Sequence, residues 1–251
     1  MISVEVSITV FILLFGGAVW GMYFDPFPPA DQRKDETRSH VQVAVGLITS
    51  MFALLLSLQL SSGKTTFDTQ EQNVTILASK IVMLDRVLAH YGPEAQNARE
   101  ILRGSVIDML NEVWPMERSK ASTWEPRGDE GKRVYDTIQG LSPQNDEQRS
   151  ERTLALNMVV DLGQMRWNSA ARIRSSTAVP LMIMEIAWAT IIFISFGLLA
   201  PRNATVIVSL GVCAAAVSGG FFLIVELNTP FSGLLHASSV PIREALKYLA
   251  R

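Results

Sequence analysis

The chain has 251 residues, 48% of them hydrophobic and 18% charged, with a formal net charge of −2. Soluble domains carry nearer a quarter charged residues, so a shortage of charge gathered in blocks marks a membrane protein. The near-neutral balance gives no broad positive field for nucleic acid, and the single cysteine, Cys213, leaves no disulfide frame and no thiolate zinc site.

A helix that crosses a bilayer needs about 20 mostly apolar residues at 1.5 Å each. The first such segment, 6–24, contains no charge. Glu5 precedes it, no basic cluster leads it, and Phe24-Asp25-Pro26 is a poor cleavage site, so it reads as a retained span and not a signal peptide. An external connection, 25–40, leads to the second span, 41–60. Only Gly63 interrupts the pattern beyond it, so the span is expected to leave the bilayer as one long helix ending near Tyr91. At 1.5 Å per residue that helix extends roughly 75 Å. Its outer part carries Val74, Leu77, Ile81, Leu84, Leu88 and Tyr91 in alternating steps of three and four, a coiled-coil-like seam.

Gly92-Pro93 stops this helix and starts another, because proline suits a first helical turn. The next helix runs to about Trp114-Pro115, with Ala98, Leu102, Val106, Met109 and Val113 on its inner side. The Pro-, Gly- and charge-rich stretch 115–131 is expected as a loop, followed by a short helix at 132–140. Ser142-Pro143 opens a further helix, with Asp146 and Glu147 in its first turn, that heads toward Pro180. The third span, 180–199, holds one charge, Glu185. The fourth, 205–225, holds none and ends at Glu226.

The expected fold is all-α: a polytopic membrane protein with four transmembrane helices and a cytoplasmic helical domain of long helices continuous with the spans. Its divisions are 1–60, the first two spans with external loop 25–40; 61–179, the cytoplasmic helical domain; 180–227, the last two spans; and 228–251, a cytoplasmic C-terminal segment. Lys64, Arg166, Arg172, Arg174, Arg243 and Lys247 lie near the membrane on one side, against Arg33, Lys34, Arg38 and Arg202 on the other. The excess places both termini and the middle region in the cytoplasm.

Lipid gives helices no hydrophobic reason to associate, so small residues and polar contacts must join the spans. Gly17 and Gly21 supply this spacing in the first span. Gly211, Ala215 and Gly219 supply it in the fourth, with Glu226 two turns further on the same face. In the second span Gly46, Ser50, Ala53, Ser57 and Ser61 form a small, partly polar stripe that ends at Lys64. Two readings apply to that stripe. It packs against other helices of one subunit, or it lines a hydrated pore around an oligomer axis, where Met51, Phe52 or Leu55 would supply apolar rings that gate by excluding water. Lys64 at the mouth favours anions; Glu185 and Glu226, near the cytoplasmic edge, favour cations if they touch the ion. A carboxylate in hydrocarbon must face protein, water or a basic partner, and Arg172, Arg174 and Arg243 stand at that level.

The segments FDTQEQNVTILASKIVMLDRVLAHYGPEAQNAREILR (67–103) and FGLLAPRNATVIVSLGVCAAAVSGGFFLIVELNTPFSGLL (196–235) resemble the bestrophin-like group of bacterial membrane proteins. The matching motifs are Leu84-Asp85-Arg86, Tyr91-Gly92-Pro93-Glu94, and Glu226-Leu227 with Pro230-Phe231-Ser232-Gly233. The resemblance covers nearly the whole chain. It implies a homopentamer of four-span subunits whose central pore is lined by the second span and passes mainly anions. Two departures stand out: there is no dense acidic run like the calcium clasp of animal bestrophins, and Phe52 is the only aromatic residue of the second span.

Function therefore divides between a homo-oligomeric ion channel with small anions as cargo and a membrane-anchored helical scaffold without conductance. His40, His90 and His236 have no metal-ligand spacing and read as surface imidazoles. No Ser/His/Asp set, H-E-x-x-H or phosphate loop is present, so neither enzyme, metal centre nor cofactor is expected, and the partners are lipid, further copies of the chain and small ions.

Overall fold

In the structure, a computed structural model, residues 2–23, 35–114, 128–174, 178–231 and 233–249 are described. Among them every regular element is helical. Helix α1 spans Ile2–Tyr23, α2 Asp35–Tyr91, α3 Gln96–Val113 and α4 Gly128–Gln139. They are followed by α5 Asp146–Arg174, α6 Ala178–Leu199, α7 Ala204–Leu227 and α8 Val240–Tyr248. Two compact units result, a membrane unit (Met1–Thr66 with Ser176–Asn228) and a helical unit (Phe67–Ser175 with Thr229–Arg251).

Among the described residues four helices are long and apolar enough to cross a bilayer: Ser3–Tyr23, Ser39–Tyr91, Pro180–Leu199 and Ala204–Leu227. The polytopic all-α architecture is thus the one its hydropathy blocks dictate. Helix α2 passes through Gly63 without a break, because α2 packs there: a Cβ on Gly63 would lie 3.4 Å from Leu227 Cβ. Some boundaries differ from the sequence reading. Asp35 and Glu36 suit the positive end of a helix, so α2 already starts within the segment expected as an external loop. Likewise α4 begins at Gly128, with Asp129 and Glu130 in its first turn, inside the stretch expected as a loop. Helix α5 is capped by Asn145, whose Oδ1 accepts the Gln148 N–H at 2.7 Å, and not by Ser142. Helix α8 was not anticipated. The remainder of the 25–40 and 115–131 loops, and the join from Arg174 to the third span, lie outside the described residues.

In the membrane unit α1 and α6 approach backbone to backbone. A Cβ on Gly21 would sit 2.5 Å from Ile194 O, and one on Gly197 would collide with Ala18 O. Gly17 faces Ile194 and Thr190 in the same seam. Such closeness supplies the dispersion contacts that hold helices together in lipid. Helix α7 sets Gly211 against Phe15 of α1, and Ser7 Oγ of α1 donates to Ser218 O at 3.1 Å. The face of α7 that packs here carries Ala214, Ser218, Phe221 and Ile224, all buried. Of the small spacing expected to do so, Gly211 packs, whereas Ala215 is exposed and a Cβ on Gly219 would meet nothing within 4 Å.

The helical unit is built on the two seams read from the sequence. Val74, Leu77, Ile81, Leu84, Leu88 and Tyr91 of α2, and Ala98, Leu102, Val106, Met109 and Val113 of α3, are each at most 4% exposed. They share one core with Val134 and Ile138 of α4, Ala155, Val159 and Leu162 of α5, and Ile242 and Ala245 of α8. Each buried leucine contributes about 1.5–3 kcal/mol. The turn from α2 to α3 needs a residue at φ 124, which Gly92 supplies, and Pro93 opens a single 3-10 turn before α3. Across the core Arg99 grips Asp85 with two bonds, Nε to Oδ1 at 2.7 Å and Nη2 to Oδ2 at 3.0 Å. That hydrogen bond raises the Arg99 pKa above its usual value.

Candidate functional site

Along its apolar part, α2 touches the rest of the membrane unit through one narrow line. Val45 and Phe52 are buried in the unit's core, Leu56 is half-buried against it, and Gly63 lies against Leu227. At about 100° per residue these positions fall on one side of the helix. Thr49, Leu55, Gln59 and Leu60 flank that line half-buried; most of the surface beyond them is open, and its residues are sorted. Gly46, Ser50, Ala53, Ser57, Ser61 and Lys64 are exposed and share a side turned by about 120° from the packed line. Val43, Leu47, Leu54 and Leu58, between 65% and 72% exposed, form a third, leucine-rich side suited to lipid.

This sorting separates Phe52 from the rest of the predicted stripe. Phe52 is 6% exposed within one subunit, so it supports α2 from behind and is not on the open side. The period of the stripe was visible in sequence, but the phase of an apolar ring one residue from it depends on which neighbours α2 leans on. The stripe's polar character is backbone-tethered at Ser50, whose hydroxyl donates to Gly46 O at 3.0 Å and so presents oxygen lone pairs outward. Gly46 itself has no neighbour within 4 Å of a would-be Cβ.

The two carboxylates at the edges of the last spans are both sequestered. Glu226 is 0% exposed and Glu185 4%. Oε2 of Glu185 has no hydrogen-bond partner among the described residues. Of the basic groups expected to face them, Arg243 donates from Nε to Ser239 Oγ at 3.0 Å on its own helix; the side chains of Arg172 and Arg174 lie outside the described residues. After Glu226 the chain turns into the C-terminal segment of the helical unit. Here Pro230 is buried and its carbonyl accepts the Ala237 N–H at 2.7 Å, with Gly233 at φ 115 inside the loop. Phe231 meets Trp114 edge-on at 5.7 Å, and Trp114 Nε1 donates to Ala237 O at 2.8 Å. These motif residues anchor the segment to α3.

One grouping was missed. His90 Nε2 lies 3.7 Å from Glu147 Oε1 and 3.6 Å from Glu151 Oε1, a geometry that a divalent cation or a protonated imidazole could use. The glutamates come from α5, so no local spacing announces them. His90 and Glu147 are largely exposed, so the group is solvated.

A family model described as Bestrophin-like domain matches residues 12–242. No match is found among curated proteins by sequence. Among solved structures, two crystal structures of a bacterial Bestrophin homolog from Klebsiella pneumoniae, each with a point mutation, superpose with TM-scores of 0.63 and 0.64. They are 13% and 12% identical to this chain, and in both comparisons 97% of each chain is covered. At that identity the likeness is one of fold.

Proposed function

Because the chain belongs to the Bestrophin-like family, we propose that it forms a homo-oligomeric ion channel whose pore is walled by the open, small-residue side of α2. The observation that carries this reading is the three-sided surface of α2. One side packs within the subunit, one is suited to lipid, and one, running from Gly46 to Lys64, is neither bulky nor strongly apolar. Repeating that side around an axis would leave room for a hydrated ion, with hydroxyls along the wall and a cation at the end. Small anions are the favoured cargo, on the charge of Lys64. The structures it resembles are described as a Bestrophin homolog, which supports self-association, and a pentamer is the assembly we propose. The bias of Lys and Arg supports a cytoplasmic side for the termini and the helical unit, and the likeness to a bacterial homolog supports a bacterial inner membrane for the spans.

Purified protein in liposomes tests the reading by chloride and potassium flux. Ser57→Trp should abolish chloride flux while leaving the oligomer intact on size exclusion. Loss of assembly without a specific block would return the stripe to simple packing, and no flux of either ion from the native protein would remove the channel. A scaffold role is favoured instead by Ile76, Met83, Leu154 and Trp167 of the helical unit, 45% to 65% exposed. In-cell cross-linking that recovers only copies of this chain would dismiss it.

A further inference from the structure

Within the helical unit, α2, α3, α4 and α5 leave a cavity of about 410 Å³ between them. That volume lies in the range of small-molecule pockets, which favour the spaces between helices of a bundle. The walls are apolar, made by residues such as Ile81, Leu102, Met109, Val134 and Val159. Gly131 and Gly163 also line it, and a Cβ on either would meet nothing within 4 Å. The space therefore exists partly because two helical positions carry no side chain. The charged groups at its wall are both cationic, Lys132 and Arg166, and no carboxylate lines it among the described residues.

Arg166 is well placed to accept an anion. Its side chain is 18% exposed and is only loosely paired with Glu130, whose Oε2 stands 3.8 Å from Nη1, an ion-pair distance that is too long for a hydrogen bond and leaves the guanidinium fork open to a second anion. That Oε2 has no hydrogen-bond partner among the described residues. A guanidinium offers five N–H donors in a planar fork, which matches a carboxylate in two-point contact. A wholly apolar occupant would leave the cations unused, and a nucleotide or sugar would find apolar walls where it needs polar partners.

We propose that this cavity binds an amphipathic monoanion, an alkyl carboxylate whose chain fills the apolar body and whose head meets Arg166 and Lys132. The site lies in the helical unit alone and is read by binding, so it stands or falls separately from conductance. The test is calorimetric titration of decanoate into the full-length oligomer in lipid nanodiscs, with empty nanodiscs subtracted. Saturable binding at one site per chain is expected, with decanol and decyltrimethylammonium each weaker by about tenfold or more. Gly163→Met fills the cavity from a position where nothing obstructs the new side chain, and it should weaken decanoate by about tenfold at an unchanged unfolding midpoint. Gly131→Met repeats that test if the first variant does not assemble. Arg166→Gln should bring decanoate down to the level of decanol. Absence of decanoate binding, as when a neighbouring subunit fills the space, overturns the proposal. So does equal binding of decanol, or affinity unmoved by the glycine variants.

Discussion

The two units of this protein use opposite means to hold helices together. In the helical unit water drives association, and the contact surfaces are large side chains: Leu84 and Leu88 against a core shared by α2, α3, α4, α5 and α8. In the membrane unit the solvent is itself apolar, so α1 and α6 gain by bringing backbones together at Gly17, Gly21 and Gly197. The same residue type therefore has opposite meaning in the two places. Gly197 is where there is no room for a methyl group; Gly163 is where a methyl group would touch nothing.

The strongest test of that contrast is Gly197→Leu. The added side chain meets the Ala18 carbonyl at its first carbon, and the α1–α6 pair must separate, at a cost of about 4 kcal/mol or more. Loss of assembled protein on size exclusion is expected, and a normally assembled variant would show that the close approach is dispensable. In the helical unit Leu84→Ala should cost about 3 kcal/mol, seen as a lower unfolding midpoint of that unit. A cost below about 1 kcal/mol would mean that the seam is not tightly packed. Asp85→Asn removes the charged half of the Arg99 fork and should cost about 2 kcal/mol, with Asp85→Glu failing to restore the midpoint because the two-point geometry is lost.

The smallest effect concerns Glu130. Burial first, with Asp108 and Glu112 adding, raises its pKa above the ordinary 4.5 against the pull of Arg166 and Arg133. The folded state then holds the proton more tightly than the unfolded one. Stability at this residue falls as pH rises from the ordinary carboxylate value through the raised one, and that loss is complete above it. Glu130→Gln should therefore raise the midpoint slightly at pH 7.5, with the gain vanishing at pH 4. A gain that grows toward acid would reverse the assignment.

The contrast also explains what the sequence made legible. The α2 and α3 seams were visible because water enforces a period on side chains, and a period can be counted from Val74 to Val113. The spans were visible by length and greasiness, but their faces were not. Gly17 and Gly21 suggested a contact, yet their partner Gly197 sits beside Phe196 in no repeated pattern. The fourth span's small stripe begins on the packed face at Gly211 but leaves it at Ala215, where Ala214 packs instead, and Phe52 was grouped with a stripe it does not share. In lipid both the packed and the open sides of a helix are apolar, so composition alone does not tell them apart. His90 with its two glutamates, and the cavity beside Arg166, arise from segments far apart in the chain. Helix α8 is too short for its period to stand out from the 228–251 segment.

The pairing of α1 with α6 has a consequence for how the protein is made. Gly21 leaves the ribosome long before Ile194, the residue whose carbonyl it will meet. At about 5–20 residues per second, the first helix waits on the order of 10–40 s in the bilayer before its companion is synthesised. By the time Ile194 is made, α2 to α5 are complete and have available most of the core they share with α8. Birth order thus favours an early-maturing helical unit and a membrane unit whose oldest segment is among the last to find its seat.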